Sequence, residues 1–370
     1  MQKIKVVHFI TSIDKSSGGT TTYLKLLTEQ IAAEVDITVV AGLTPSPVPL
    51  SGVKVRHFDM SGKKLFQFKK EIASFLDELK PDLVHINGIW ELPNVVMQNV
   101  AEKKGIPVII SPHGMLEPWI MNKNRLKKVV AMILYQRKSI KKANCLHATA
   151  ESEQNNILEL GFNNHIEIIE NGIKTENVRI KKSWERTKTI LFLSRVHPKK
   201  GIENLIDAIV EMNGQFSTYK VIIAGEGDPA YVDQLKARVR KKQVDENLFD
   251  FRGGVYGEAK WELYRQADVF ALPTYSENFG IVIPEALISG TPVITTVGAP
   301  WKDLEQYHCG WWIKCGVEPL KEALSGFVEK SESELKEMGL NGQRLVEEKY
   351  TDRSMGKKMV QLYKSQLSIT

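Results

Sequence analysis

The feature that most constrains this chain is one alternation written twice. Short runs rich in β-branched residues, "IKVVHFI" (4–10), "DITVVA" (36–41), "LVHI" (83–86), "PVIISP" (107–112) and "CLHATA" (145–150), are flanked by turn residues. Helix-length segments lie between them, such as "TTYLKLLTEQIAAE", "FKKEIASFLDELK" and "LKKVVAMILYQRKSIKKA". Strand, helix, strand in that order implies a mainly parallel sheet covered by helices. The pattern stops over residues 166–188, "IEIIENGIKTENVRIKKSWERTK", which is polar, charged and without period. It restarts with "TILFLSRV" (189–196), "KVIIAGEG" (220–227), "FDFRG" (249–253), "VFALPT" (269–274) and "PVITT" (292–296), and closes on helical stretches ending with 352–368. The expected architecture is α/β: two Rossmann-like, doubly wound domains facing each other across a cleft. The boundary falls inside the aperiodic stretch.

A length of 370 residues with 42% apolar content suffices for two cores. No run approaches the ~20 apolar residues of a membrane span, and the apolar run in "MQKIKVVHFITS" is too short for a signal peptide. Cys145, Cys309 and Cys315 have no metal-like spacing and read as reduced thiols. These features suggest a soluble, cytoplasmic protein. The net charge of +6 is modest, but residues 121–142 hold eight lysines and arginines and no acid. Residues 62–70, "GKKLFQFKK", add four lysines around Leu65, Phe66 and Phe68. In the longer segment Leu126, Val129, Val130, Ile133, Leu134, Arg137 and Ile140 recur at helical spacing, which reads as a core-facing stripe with a solvated basic face. The sharper alternative is an anionic membrane or a lipid-diphosphate acceptor, with "GKKLFQFKK" the better membrane candidate. Nucleic acid is not an expected partner.

In a doubly wound sheet ligands bind beyond the carboxyl ends of the strands, so the loops there hold the candidate residues. After the first strand, Gly18 and Gly19 precede three threonines and a helix. They suit either a phosphate-facing loop or a strand-to-helix turn that uses glycine for backbone freedom. "AGEGD" (224–228) reads as a sharp turn at a sheet edge rather than a dinucleotide fingerprint. In "LSRVHPKKG", Arg195 and the lysines Lys199 and Lys200 offer a bidentate donor and point charges suited to a diphosphate, or form a solvated basic turn. His113 follows a strand beside a glycine, where a neutral imidazole can meet a sugar hydroxyl. His8, His85 and His147 also lie on or near strands, without metal-binding spacing. No Asp-x-Asp pair occurs, so no metal is expected.

"VFALPTYSENFGIVIPEAL" reads as strand, loop, then helix from about Gly280, with Pro284 in its first turn. Glu277 stands in the loop and Glu285 on the second turn. The N–H groups of Phe279, Gly280, Ile281 and Val282 between them form a helix start suited to phosphate. Carboxylates beside a diphosphate cannot bind its charge, so they are better used as acceptors for hydroxyls. A capping acid plus a surface glutamate is the bland alternative.

Taken in order, "SSGG", "SPHGM", "SRVHPKKG", "AGEGD" and "SENFGIVIPEAL" resemble the retaining family 4 glycosyltransferases of the GT-B fold, across nearly the whole chain. The resemblance implies a nucleotide-sugar donor held mainly by the second domain. It implies that Arg195 and Lys200 hold the diphosphate, that Glu285 binds the ribose hydroxyls and that Glu277 meets the donor sugar. His113 and the Gly18–Gly19 loop would close over that sugar from the first domain. Backbone from Gly253 to Tyr256, including Val255, would face the base, and Glu226 and Asn278 join the donor-binding set. "ENGI" at Asn171 matches the family's interdomain turn. The implied domains are 1–172 with a returning helix at 352–370, and 173–351. "HGMLEPW" and "HINGIW" are similar to members that build bacterial surface polysaccharides.

The implied reaction moves a hexose-type sugar from a UDP- or GDP-sugar to a hydroxyl of a glycan or lipid-linked glycan, with retention and without a metal or other cofactor. Arg195, Lys200 and the helix start oppose the charge that develops on the diphosphate. Glu277, His113, Arg195 and Lys200 form the catalytic set. A nucleotide-sugar epimerase on the same architecture and a non-catalytic glycan-binding protein are the rival readings.

Overall fold

The computed structural model describes residues 3–122, 124–176, 178–242 and 244–368. The chain divides into two compact units, Met1–Gly172 with Asp352–Thr370, and Ile173–Thr351. The first holds a seven-stranded sheet of β1 (Ile4–Ile10), β2 (Val35–Gly42), β3 (Lys54–Phe58), β4 (Leu83–Asn87), β5 (Val108–Ser111), β6 (Cys145–Ala148) and β7 (Ile166–Ile168). The second holds a six-stranded sheet of β8 (Thr189–Leu193), β9 (Lys220–Ala224), β10 (Phe249–Gly253), β11 (Val269–Leu272), β12 (Val293–Thr296) and β13 (Gly310–Ile313). The strand orders are β3-β2-β1-β4-β5-β6-β7 and β10-β9-β8-β11-β12-β13. Every neighbouring pair is parallel. Each sheet therefore reverses its winding once, between β1 and β4 and between β8 and β11, and the loops that part there open a crevice at the strand ends.

Helices on both faces of a parallel sheet bury its central strands twice over, which demands unbroken apolar runs. Every residue of β8, β11 and β12 is buried. Residues 166–168, expected to be irregular, form β7, paired with β6 at the edge of the first sheet.

The C-terminal helix Asp352–Ser368 belongs to the first unit. Its Met355, Met359, Val360, Leu362 and Tyr363 share a core with Tyr23, Leu24, Leu27 and Ile31 of helix Gly19–Ile31. Gly356 permits the contact, since a Cβ there would stand 2.9 Å from Cβ of Gln30. Gln30 Nε2 also donates to Asp352 at 2.8 Å.

The basic segment departs from expectation. It forms helix Arg125–Ala131, a π-helical turn Met132–Gln136 and helix Arg137–Lys142. Of the expected core-facing stripe only Ile140 is fully buried, whereas Leu126 is 83% exposed, Ile133 73% and Leu134 72%. Val129 and Val130 are also exposed. Across these helices only Gln136, Ser139 and Ile140, at the end of the π turn and beyond it, are buried. In "GKKLFQFKK", Phe68 turns into the core while Phe66 stays exposed beneath Lys70.

Candidate active site

In the second unit the loop after β8 closes onto the loop after β11. Arg195 is exposed just beyond β8. The turn Pro198–Lys200 is capped by His197, whose ring accepts from the Lys199 N–H at 3.1 Å. The Lys199 carbonyl accepts from Tyr275 N–H at 2.8 Å and from Thr274 Oγ1 at 3.0 Å. Gly201, in the left-handed region at φ +66°, allows this approach, because a Cβ there would lie 2.0 Å from the Pro273 carbonyl oxygen. The consequence is that Lys200 turns inward and pairs with Glu277, both side chains about nine-tenths buried. Lys199 stays half-buried.

Glu277 is fixed through its backbone, its N–H donating to the Gly298 carbonyl at 2.7 Å. Phe279 anchors the same loop. Its ring is buried against Trp301 and Tyr350, and its carbonyl accepts from Trp301 Nε1 at 2.5 Å. Gly280 is left-handed at φ +77°, so the helix spans Val282–Ile288 and does not start at Gly280 as expected. Glu285 falls in its first turn rather than its second. Ile281 is exposed, and Val282 and Asn278 are half-buried.

Glu285 is buried and paired on both oxygens. Lys260 Nζ reaches Oε1 at 2.5 Å, and the Tyr264 hydroxyl donates to Oε2 at 3.0 Å. Burial first, and then the Glu285 carboxylate, hold the Tyr264 phenol far above its ordinary pKa, so it remains a neutral donor. Lys260 and Tyr264 were missing from the sequence reading. They sit four residues apart on helix Gly257–Gln266, and i, i+4 spacing alone gives no hint of a carboxylate partner from a different helix.

A pocket of about 500 Å³ is lined by Val196, Glu226, Gly227, Lys236, Phe251 and Gly253, among others. Tyr256 donates to Glu226, and Val255 packs on the core. "AGEGD" is not at a sheet edge: it leaves β9, which lies between β8 and β10. Its glycines serve close approach between loops. A Cβ on Gly225 would meet the Ser194 carbonyl oxygen at 1.8 Å, and one on Gly227 the Val196 oxygen at 2.5 Å.

In the first unit Gly18 has φ +73° and Gly19 opens helix Gly19–Ile31. A Cβ on either would have no atom within 4 Å, so the space over this loop is open. His113 and Gly114 are both left-handed, in a turn closed by Met115 N–H donating to the Pro112 carbonyl at 3.2 Å. A non-glycine residue held there costs on the order of 1 kcal/mol and persists only where its surroundings enforce it. Buried Glu153 does so, accepting from Gly114 N–H at 2.5 Å and from Thr149 N–H at 2.8 Å. The Tyr23 ring packs on His113 at 4.8 Å between centroids. Burial lowers the His113 pKa to about 3, so its imidazole is neutral.

Two parallel Rossmann-like sheets, with paired cations and carboxylates beside the switch point of the second, define a doubly wound α/β protein with a candidate ligand site at its strand ends. Family comparisons make this specific. Residues 17–177 match the glycosyltransferase family 4 pattern and residues 173–345 that of glycosyl transferases group 1. The chain is a member of the family 4 glycosyltransferases of the GT-B fold. An uncharacterised glycosyltransferase of Methanocaldococcus jannaschii is 34% identical over 165 residues, 40% of each chain. The phosphatidyl-myo-inositol mannosyltransferase of Mycobacterium tuberculosis is 36% identical over 111 residues, 30% of this chain and 28% of that one. The match thus spans well under two thirds of these relatives. A 41.2 kDa protein in the cps region of Klebsiella pneumoniae is 25% identical over 307 residues, covering 79% of this chain and 80% of its own. Among solved structures, Anabaena HepE in complex with UDP and glucose superimposes with TM-score 0.77 at 17% identity, over 98% of this chain and 100% of that one. WaaG, a glycosyltransferase involved in lipopolysaccharide biosynthesis, gives 0.71 at 16% identity, over 97% and 99%.

Proposed function

We propose that this protein transfers a hexose-type sugar from a UDP- or GDP-sugar to a hydroxyl of a glycan or lipid-linked glycan, with retention, in the assembly of a bacterial surface polysaccharide. The observation that carries this reading is the pair of buried carboxylates, each already matched to a lysine, beside the switch point of the second sheet. HepE, with UDP and glucose, and WaaG, in lipopolysaccharide biosynthesis, support the donor class and the setting.

A buried ion pair gains little net energy, because desolvation offsets the attraction. A diphosphate brings two charges and competes for Lys200. Its arrival would free Glu277 to accept hydroxyls of the donor sugar, while Arg195 and Lys200 offset the charge growing on the leaving diphosphate. No metal enters this scheme. In the transfer step the bond from C1 to the phosphate oxygen breaks and the bond from C1 to the acceptor oxygen forms on the same face. The acceptor's proton passes to the departing phosphate oxygen. Glu285, with Lys260 and Tyr264, binds the ribose hydroxyls.

Among the described residues no helix is long and apolar enough to cross a membrane. We assign contact with an anionic membrane surface to the exposed face Leu126, Val129, Val130, Ile133 and Leu134, flanked by lysines and arginines without acids. Incubation with a panel of nucleotide sugars tests the function. Nucleotide release that depends on added acceptor supports transfer, whereas conversion of the donor sugar without acceptor overturns it.

A further inference from the structure

The first unit buries four histidines at the heart of its sheet: His8 on β1, His85 on β4, His147 on β6 and, half-buried, His113 after β5. They hold no metal arrangement among the described residues. Their hydrogen bonds instead form one path, and its direction can be read from both ends.

At one end His147 Nε2 faces the Ile169 carbonyl at 2.8 Å, so Nε2 carries the proton and Nδ1 accepts. Ser111 Oγ, 2.7 Å from that Nδ1, must then donate to it. Its remaining lone pairs receive His85 Nε2–H at 2.6 Å. His85 Nδ1 in turn accepts from the Tyr363 hydroxyl at 2.8 Å. The Tyr363 oxygen receives His8 Nε2–H at 2.9 Å. That leaves His8 Nδ1 as an acceptor.

At the other end, Asn87 Nδ2 faces two carbonyl oxygens, Phe9 at 3.3 Å and His85 at 3.4 Å, so the amino side of the amide must be there. The same nitrogen lies 3.3 Å from His8 Nδ1, the acceptor already required. Asn87 Oδ1 consequently points at His113 Nε2, 3.3 Å away, and only an N–H can face it. Both ends of the path thus assign one proton to each ring, on Nε2, and leave His113 Nδ1 open.

We propose that Asn87 and Tyr363 are positioning residues for His113. Together with His8, His85, Ser111 and His147 they form a directional hydrogen-bond chain that holds His113 as its Nε2–H tautomer and presents Nδ1 as an acceptor. An incoming hydroxyl would donate to Nδ1, and a carbonyl or phosphate oxygen would be refused. The groups around His113 agree with a neutral ring: His8 and His147 from the sheet, Tyr23 from helix Gly19–Ile31, and Glu153, whose carboxylate is spent on Gly114 and Thr149. The catalytic consequence rests on the reading of His113 as the group that meets the donor sugar, but the tautomer does not.

Imidazole ¹⁵N NMR of the full-length protein reads the tautomer directly, without activity. The expected result is Nε2–H for His113 in the wild type and a mixture of tautomers in Asn87→Ala and Tyr363→Phe. An Nδ1–H ring in the wild type, or a ring insensitive to both substitutions, overturns the proposal. For catalysis, Tyr363→Phe should lower kcat between about ten- and a hundredfold, the scale of a misplaced site group, with little change in KM for the donor. Asn87→Asp keeps the acceptor for His113 but adds a charge, so it should give the pH profile an acid limb near neutrality that the wild type lacks. An unchanged profile with Asn87→Asp counts against the positioning role. A fully active His113→Ala variant would defeat the reading of the site while leaving the tautomer measurement to stand.

Discussion

Glu277 and Glu285 share a sequence neighbourhood but not an environment. Glu277 shares a buried ion pair with Lys200, while Glu285 is held by a lysine and a tyrosine of one helix. Glu277→Ala should abolish transfer and leave nucleotide affinity largely intact, as measured by calorimetric titration beside a transfer assay. Glu285→Ala should weaken nucleotide binding first. It should also cost about 1–3 kcal/mol of stability in denaturant titration, because the buried Tyr264 hydroxyl is left without its acceptor and half-buried Lys260 without its counter-ion. Equal effects of the two substitutions would contradict separate roles. The carboxylates were legible from the sequence because both stand in one strand-loop-helix run. Their partners were not, since the sheet brings Lys200 from 77 positions away. Nor did the sequence signal that the Phe279 ring anchors this loop in the core, against Trp301 and Tyr350.

At the scale of elements, the same residue type does opposite work in different loops. Gly201 and Gly225 are left-handed or nearly extended with φ above zero, and each lies against a carbonyl oxygen. Alanine at either should destabilise the protein by at least about 2 kcal/mol, judged by denaturant midpoint. Gly19→Ala meets nothing and starts a helix, so stability should hold or rise slightly. Transfer should nevertheless fall if the open space there is where the donor approaches; an unimpaired variant would argue for a plain turn. The central strands were legible because burial on both faces writes an unbroken apolar run. The three strands that were missed, "KVRHF", "IEI" and "GWWI", are β3, β7 and β13, all at sheet edges; polar letters break the first two, and the third is four half-buried residues opened by a glycine. The stripe of Leu126 to Leu134 misled for a different reason, because helical spacing shows that apolar residues share a face, not that another element covers it. Vesicles rich in phosphatidylglycerol should carry the protein in flotation, and Ile133→Glu with Leu134→Glu should release it. Binding indifferent to anionic lipid, or self-association lost in that variant, would assign the face to another partner.

For the whole molecule, the buried histidines tie stability to pH. Burial lowers the pKa of His8 and His113 to about 3 and that of His147 to about 4, and puts His85 well below its ordinary value of 6.5. Unfolded histidines take up protons below about pH 6.5 while the folded ones stay neutral. Stability should therefore be full above that pH and fall as pH drops towards 4, by about 1.4 kcal/mol per histidine per pH unit. Thermal unfolding followed from pH 7.5 to 4.5 checks this, and a flat midpoint would contradict it. The α/β architecture was legible at this scale because two rounds of the same grammar survive local misreadings; the histidine network was not, since four isolated letters on four segments meet only once the sheet forms. The central claim, retaining transfer from a nucleotide sugar, meets its most direct test in ¹H NMR of the anomeric proton as product first appears. The product should carry the donor's anomeric configuration; inversion would contradict retention.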